Sequence, residues 1–216
     1  MGTLVETDDI SSDLYLSLGL TELDKGVGVP RVLSLLSSLL ERSVQKNEML
    51  LETKHIEDVV TVFHGLRAPT LSVHKYIDRI CKYSGCSPSC FVVAHIYIDR
   101  FLHHTEIKLT SLNVHRLLIT SIMLAAKFMD DAFFNNAYYA KVGGVSTSEL
   151  NRLEMSFLFG IDFRLQVSVD TFGSYCLQLE KEGSETLQIE RPMQACRIKE
   201  SWSNKEDPSC ASTIAR

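Results

Sequence analysis

Several residues of the chain have side chains that could do chemistry. Cys81, Cys86 and Cys90, followed by His95, offer thiols and an imidazole to a soft metal. Asp130 and Asp131 offer two carboxylates to a hard one. His103 and His104, taken with Cys81, hold the residue types of a nucleophile and its base. None of these sets has the spacing its chemistry needs. The gaps from Cys81 to Cys86, Cys90 and His95 are four, three and four residues, which match no paired zinc knuckle. Asp130 and Asp131 lack a third ligand and read as solvated carboxylates at a helix end. Cys90 sits in an apolar helical run and reads as a small hydrophobe. His103 and His104 read as surface histidines, and no motif joins them to a thiol. Gly143-Gly144 is not followed by the lysine and hydroxyl residue of a phosphate loop, so it reads as a helix stop. Lys127 and Glu154 look, by residue type alone, like ordinary solvated helix charges. The sequence therefore predicts no catalytic residue, no metal and no cofactor.

Bulk properties narrow the classes further. The chain has 216 residues, 45% hydrophobic and 23% charged, with a formal net charge of −5. That suits one sizeable domain with flexible ends. A protein that binds nucleic acid through phosphate contacts is ordinarily basic, so the charge argues against one. No apolar run approaches the ~18 residues of a membrane span. The first residues lack a basic flank before an apolar core, so no secretory signal is expected. The six cysteines are then most simply reduced thiols of the nucleus or cytoplasm.

The elements that must position any site are helical. Residues 1–28 carry Glu6, Asp8, Asp9 and Asp13 and two interrupting glycines, the composition of a flexible acidic arm. Within it Leu14, Leu16, Leu18 and Leu20 alternate. This resembles the leucine-alternating repression motif of plant transcriptional regulators, which could add to a partner as a strand; folding back on the domain is the simpler reading. Residues 29–66 are expected to form accessory helices. Pro30 opens the first, Val32, Leu33, Leu35, Leu36, Leu39, Leu40 and Val44 form its apolar stripe, and Ile56 to Phe63 make a second that stops at Gly65. Five segments follow within 67–182. Thr70 is placed as the cap of the first, Ser87-Pro88 opens the second, and the third runs over roughly 111–130. Asn136 to Val142 is the fourth, and Ser146 with Glu149 forms the capping box of the fifth. A further helix covers about 168–181, and 183–216 is polar enough to be a disordered tail. Strand signals are scarce, so the fold class is all-α.

One of these segments is different in kind. Leu117, Leu118, Ile119, Ile122, Met123, Leu124, Ala125, Ala126 and Phe128 point in every direction around the third helix. A helix apolar all round is buried or spans a membrane. Arg116 and Lys127 favour burial, so the other helices should wrap this one.

At this point the chain resembles a known family. Residues 94–101 (Ala-His-Ile-Tyr-Ile-Asp-Arg-Phe), 113–118 (Asn-Val-His-Arg-Leu-Leu) and 125–128 (Ala-Ala-Lys-Phe), with Asp130-Asp131, resemble a cyclin box. So do 139–145 (Tyr-Ala-Lys-Val-Gly-Gly-Val) and Glu149-Leu150-Asn151 with Leu153-Glu154. The 139–145 run is similar to the plant U-type (P-type) cyclins, relatives of the fungal phosphate-signalling cyclins. The resemblance covers about half the chain and implies a single five-helix box around a buried third helix, with accessory helices before and after.

The resemblance also implies a function, that of a non-catalytic subunit binding and activating a cyclin-dependent kinase. By motif, Lys127 and Glu154 are the pair that grips the kinase's regulatory helix. Asp99 is the residue that braces the box, commonly through an arginine of its first helix, for which Arg79 is the candidate. The first-helix signature of cell-cycle cyclins is replaced here by Leu71-Ser72-Val73-His74-Lys75-Tyr76, so their apolar substrate-docking patch is not carried over. An A-type kinase is the expected partner, cell division or phosphate response the expected setting, and no obligate homo-oligomer is expected. The competing reading is a cyclin-fold adaptor that binds no kinase, because the same fold serves general transcription factors and pocket proteins.

Overall fold

The computed structural model describes residues 6–20, 29–55 and 58–189. Eight helices follow in order: α1 (Glu6–Leu18), α2 (Arg31–Lys54), α3 (Val73–Ser84), α4 (Pro88–Thr105), α5 (Val114–Met129), α6 (Asn136–Gly143), α7 (Thr147–Gly160) and α8 (Val169–Ile189). No strand occurs among the described residues. The all-α expectation holds, with the five box segments as α3 to α7.

α5 is the buried rod that its sequence predicts. Every residue from Leu117 to Ala126 is buried. Two of them are polar, and each turns its hydroxyl onto the helix's own backbone: Thr120 Oγ1 donates to the Arg116 carbonyl at 2.7 Å and Ser121 Oγ to that of Leu118 at 3.1 Å. That satisfies them without a side-chain partner. Phe128, placed with the core by pattern, is instead half exposed at the end of the helix. α4 is a second buried rod, continuously covered from Cys90 to Ile98. It packs against α5 on one side and against α2 and α8 on others. Its apolar run is as complete as that of α5, so the core rests on two crossed helices rather than one.

Helix starts follow local chemistry. Pro88 stands at the first turn of α4, Ser146 Oγ accepts from the Glu149 amide at 3.0 Å, and Asn135 Oδ1 accepts from the Tyr138 amide at 3.0 Å. α3 is capped by Ser72, whose Oγ accepts from the Lys75 amide. The cap thus falls two residues after Thr70, because Ser72 is the hydroxyl next to the first buried residue, Val73.

Three expectations change. Within the presumed flexible arm, residues 6–18 form α1, which packs on α8: Leu18 is fully buried and the Tyr15 and Phe172 rings meet at 5.9 Å. Leu14, Leu16 and Leu18 are helical, so the alternation is not a strand here; residues 21–28 lie outside the described part. The accessory region holds one long helix, α2, and residues 58–65 are not helical. Only Phe63 of that stretch is buried, while Val59, Val60 and Val62 face solvent, so it has no helical apolar face. His64 organises it instead, with Nδ1 accepting from the Thr61 amide at 3.0 Å and Nε2 lying 3.1 Å from both Asp58 Oδ2 and Asn113 Nδ2. Residues 56 and 57 lie outside the described part. Finally, α8 runs to Ile189 and so takes in the first seven residues of the presumed tail, 183–189; the remainder of that tail, with Trp202, lies outside the described residues.

Candidate functional site

Lys127 sits in the last turn of α5 and Glu154 in the middle of α7. Packing of α7 on α5 brings them together: Lys127 Nζ donates to Glu154 Oε1 at 2.7 Å. Their side chains are only 26% and 16% exposed, so the pair lies at the surface without being freely solvated. The second carboxylate oxygen, Oε2, accepts from Asn136 Nδ2 at 2.6 Å, and the same amide donates to Asn151 Oδ1 at 2.8 Å. Glu154 is therefore held from two sides. The ammonium carries three donors, of which one is used among the described residues.

Other bonds fix the helices that carry this pair. Arg116 Nε donates to Glu149 Oε1 at 2.7 Å, a second link between α5 and α7. Asp130, just past Lys127, accepts from the Ser87 amide through Oδ2 at 3.1 Å. The end of α5 is thereby fastened to the start of α4. Asp130 has this structural task, and no group of three or more His, Cys, Asp or Glu side chains suited to a metal exists among the described residues.

Exposed apolar side chains flank the pair. Phe128 and Met129 extend α5 beyond Lys127, and Phe133 and Phe134 follow in the next loop. On α7, Met155 and Phe159 stand four residues apart, on one face, and Phe159 is 65% exposed. Two of these rings have aromatic neighbours, Phe134 stacking on Tyr138 at 4.0 Å and Phe159 meeting Phe163 edge-on at 5.2 Å, yet all remain exposed. A partly buried ion pair bordered by exposed aromatic and methionine side chains is the composition of a protein-binding surface. Sequence reasoning found Lys127 and Glu154. It did not find Asn136, whose only signal is a side-chain amide next to the Asn135 cap.

Asp99 falls elsewhere. It lies on the exposed side of α4, where the Tyr175 hydroxyl donates to Oδ2 at 2.5 Å. The bond ties α4 to α8, outside the first box helix. Arg79 is not its partner and instead donates to the Lys141 carbonyl at 3.4 Å. The same Tyr175 ring packs edge-on against His95 at 5.4 Å. Burial holds the His95 imidazole down at about 4, against a smaller opposing pull from Asp99.

Among the described residues, Cys81, Cys86, Cys90 and Cys176 are free cysteines. Ser84 Oγ lies 2.9 Å from Cys86 Sγ and Ser87 Oγ 3.3 Å from Cys90 Sγ. Burial pushes Cys81 up to about 11 and Cys176 up to about 12, so both stay protonated thiols near neutrality.

Comparison with known proteins agrees with this arrangement. The cyclin family matches residues 30–165, from the start of α2 to the connector after α7. Cyclin-P3-1 of Oryza sativa subsp. japonica is 54% identical, covering all of this chain and 95% of its own length. Cyclin-U3-1 of Arabidopsis thaliana is 56% identical over 96% of each chain. Cyclin-U4-1 of the same plant is 51% identical over 76% of this chain and 81% of its own. With the family match and these relatives in agreement with the helical box, the chain belongs to the cyclin family, in its plant P- and U-type group, and is a regulatory subunit rather than an enzyme.

Proposed function

We propose that this cyclin binds and activates a cyclin-dependent serine/threonine kinase, of the plant A-type, by seizing the kinase's regulatory helix across Lys127 and Glu154. The observation that carries the reading is the 2.7 Å contact between those two side chains on adjoining helices. Two donors of the ammonium remain for backbone carbonyls of a partner, and Glu154 is preorganised by Asn136 to meet donors. Phe128, Met129, Met155 and Phe159 supply apolar area beside the polar grip.

The consequence is felt in the kinase. Its strand lysine must pair with the glutamate of its regulatory helix before ATP phosphates are positioned. Docking selects the inward position of that helix, so the cyclin biases a two-state element and performs no chemistry itself. We place this activity in the nucleus or cytoplasm, in the control of cell division or of the phosphate response.

The test is binding and kinase activity of a plant A-type cyclin-dependent kinase with the wild-type chain, Lys127→Ala and Glu154→Ala. Each replacement leaves a buried or half-buried partner unpaired and is expected to weaken binding by about 10- to 100-fold, with a parallel loss of activation. Unchanged binding in both would remove the clamp. Recovery of transcription proteins and no kinase from plant tissue would replace the reading with that of an adaptor.

A further inference from the structure

An open cavity of about 790 Å³ lies between the C-terminal turn of α4 and the connector that follows α7. Arg100, His103, His104, Asp162, Phe163 and Arg164 line it. Two guanidinium groups and two imidazoles stand there against one carboxylate, in a chain whose formal net charge is −5. The sign of the surface is locally reversed. None of these residues bonds to Lys127 or Glu154, although the Phe163 ring meets that of Phe159, at the edge of that surface, at 5.2 Å.

The walls are built before any ligand arrives. Arg100 Nη1 donates to the carbonyls of Arg164 at 2.6 Å and of Gln166 at 3.1 Å. The Tyr97 hydroxyl donates to the carbonyl between them, that of Leu165, at 2.6 Å. Three successive carbonyls of the connector are thus held by α4. Asp162 and Phe163 are both in the left-handed region, with φ of 53° and 55°, a conformation that costs an L-residue about 1–2 kcal/mol. The Asp162 and Phe163 amides donate to the Phe159 and Leu158 carbonyls of α7 at 3.1 and 2.9 Å, which holds that turn, and the α4 side chains fix the residues after it. Phe163 and Arg164 are left exposed beside Arg100 and the two histidines.

A phosphoryl group matches this lining. It brings up to about two negative charges and three acceptor oxygens. A guanidinium can meet it with paired N–H donors, and imidazoles add further ones. Arg100 is already locked by its backbone bonds, so its charge is presented without loss of side-chain freedom. The carboxylate of Asp162 reaches Arg164 at only 3.5 Å in an exposed pair, a contact weak enough for a phosphoryl group to displace. Phe163 meets Phe159 edge-on at 5.2 Å and is still 53% exposed. A bare ion would leave that exposed face open, whereas residues flanking a phosphorylated side chain would cover it.

We propose that this cavity is a receptor for a phosphoserine or phosphothreonine carried on an extended peptide segment of a partner protein. Arg164, His103 and His104 take the phosphoryl oxygens, Arg100 supplies a fixed positive charge, and Phe163 packs against the flanking residues. No covalent bond is made or broken.

The experiment is amide-shift NMR on the full chain, titrated with the peptide acetyl-Ala-Gly-pSer-Gly-Ala-amide, its unphosphorylated form and inorganic phosphate. The phosphopeptide should shift amides in 100–104 and 161–166, bind about ten-fold or more tighter than inorganic phosphate, and outcompete the unphosphorylated form by a similar factor. Arg164→Ala and the double change His103→Ala with His104→Ala alter exposed side chains, and each should weaken binding about ten-fold while other amides stay in place. Lys127→Ala should bind the peptide as wild type does, so this result and that of the kinase test are read separately. Shifts absent from both segments, or unchanged by the variants, would overturn the site. Inorganic phosphate equalling the phosphopeptide would overturn the peptide assignment.

Discussion

At the residue scale, His95 shows how a polar side chain inside the core ties stability to pH. It is 9% exposed, its Nδ1 has no hydrogen-bond partner, and it packs on the edge of Tyr175. Burial disfavours the charged ring, and the folded chain takes up that proton only near pH 4 instead of 6.5. The unfolded chain protonates the same ring at its ordinary value. As pH falls below about 6.5, the unfolded state gains a proton that the folded state refuses, and stability declines until about pH 4, where both are protonated. The interval corresponds to a loss on the order of 3 kcal/mol. Urea unfolding at about pH 7.5 and about pH 4.5 should show this loss in the wild type and a smaller one in His95→Leu, which has no proton to take up. Equal losses in the two proteins would place the acid sensitivity elsewhere. Lys127 and Glu154 lie at the opposite extreme of readability. Their types say nothing, and they became visible in the sequence only through the motif around them.

At the scale of elements, Gly143 and Gly144 do two different jobs that one sequence signal concealed. Gly144 ends α6 with φ of 74°, and a Cβ there would meet nothing within 4 Å. Gly143 lets α6 approach the central α5, since a Cβ on it would fall 2.6 Å from Ile119 Cγ1. Gly144→Ala should therefore cost only the left-handed backbone strain, about 1 kcal/mol. Gly143→Ala overpacks the core and should cost about 1–3 kcal/mol. Thermal unfolding of the two variants should rank Gly143→Ala as the less stable, and the reverse order would mean that the helix contact yields freely. The sequence named the stop because Gly-Gly after a helical run is a local signal. It could not name the contact, which depends on where α5 lies. The same division runs through the fold. Ser87-Pro88, Ser146 with Glu149, and the apolar residues that encircle the Leu117–Ala126 run are local and were legible. Asn136 on Glu154, Tyr175 on Asp99 and the His64 network in 58–65 are long-range or loop contacts that no period or cap encodes.

At the scale of the whole molecule, the described helices before and after the box, α1, α2 and α8, close over it. α2 lies across α3, α4 and α8, and α1 lies on α8. Arg31 Nη1 donates to both carboxylate oxygens of Glu180 at 2.8 and 2.7 Å, and Ser17 Oγ reaches the same carboxylate at 3.3 Å. Leu18 is fully buried with Leu14, Leu20 and Tyr15 packed around it. An acidic, weakly periodic segment thus folds because α8 offers it an apolar face, a tertiary effect that helix propensity does not contain. α8 in turn packs on α4, where Tyr175 meets Asp99 and His95, so α1 is coupled through α8 to the centre of the box. Removing residues 1–20 strips Leu18 from the core and uncovers Phe172. Burial of a leucine is worth about 1.5–3 kcal/mol, and the cost should fall on α8 first. Hydrogen exchange of the truncated chain should show amides 169–181 exchanging at least about ten-fold faster, with α5 amides in 117–126 far less affected. The kinase binding proposed at Lys127 and Glu154 should persist, because the hydrogen bonds that fix the pair lie among α5, α6 and α7. Uniform acceleration across α5 and α8 would instead mean that the N-terminal helix is part of the one cooperative unit on which the whole box depends.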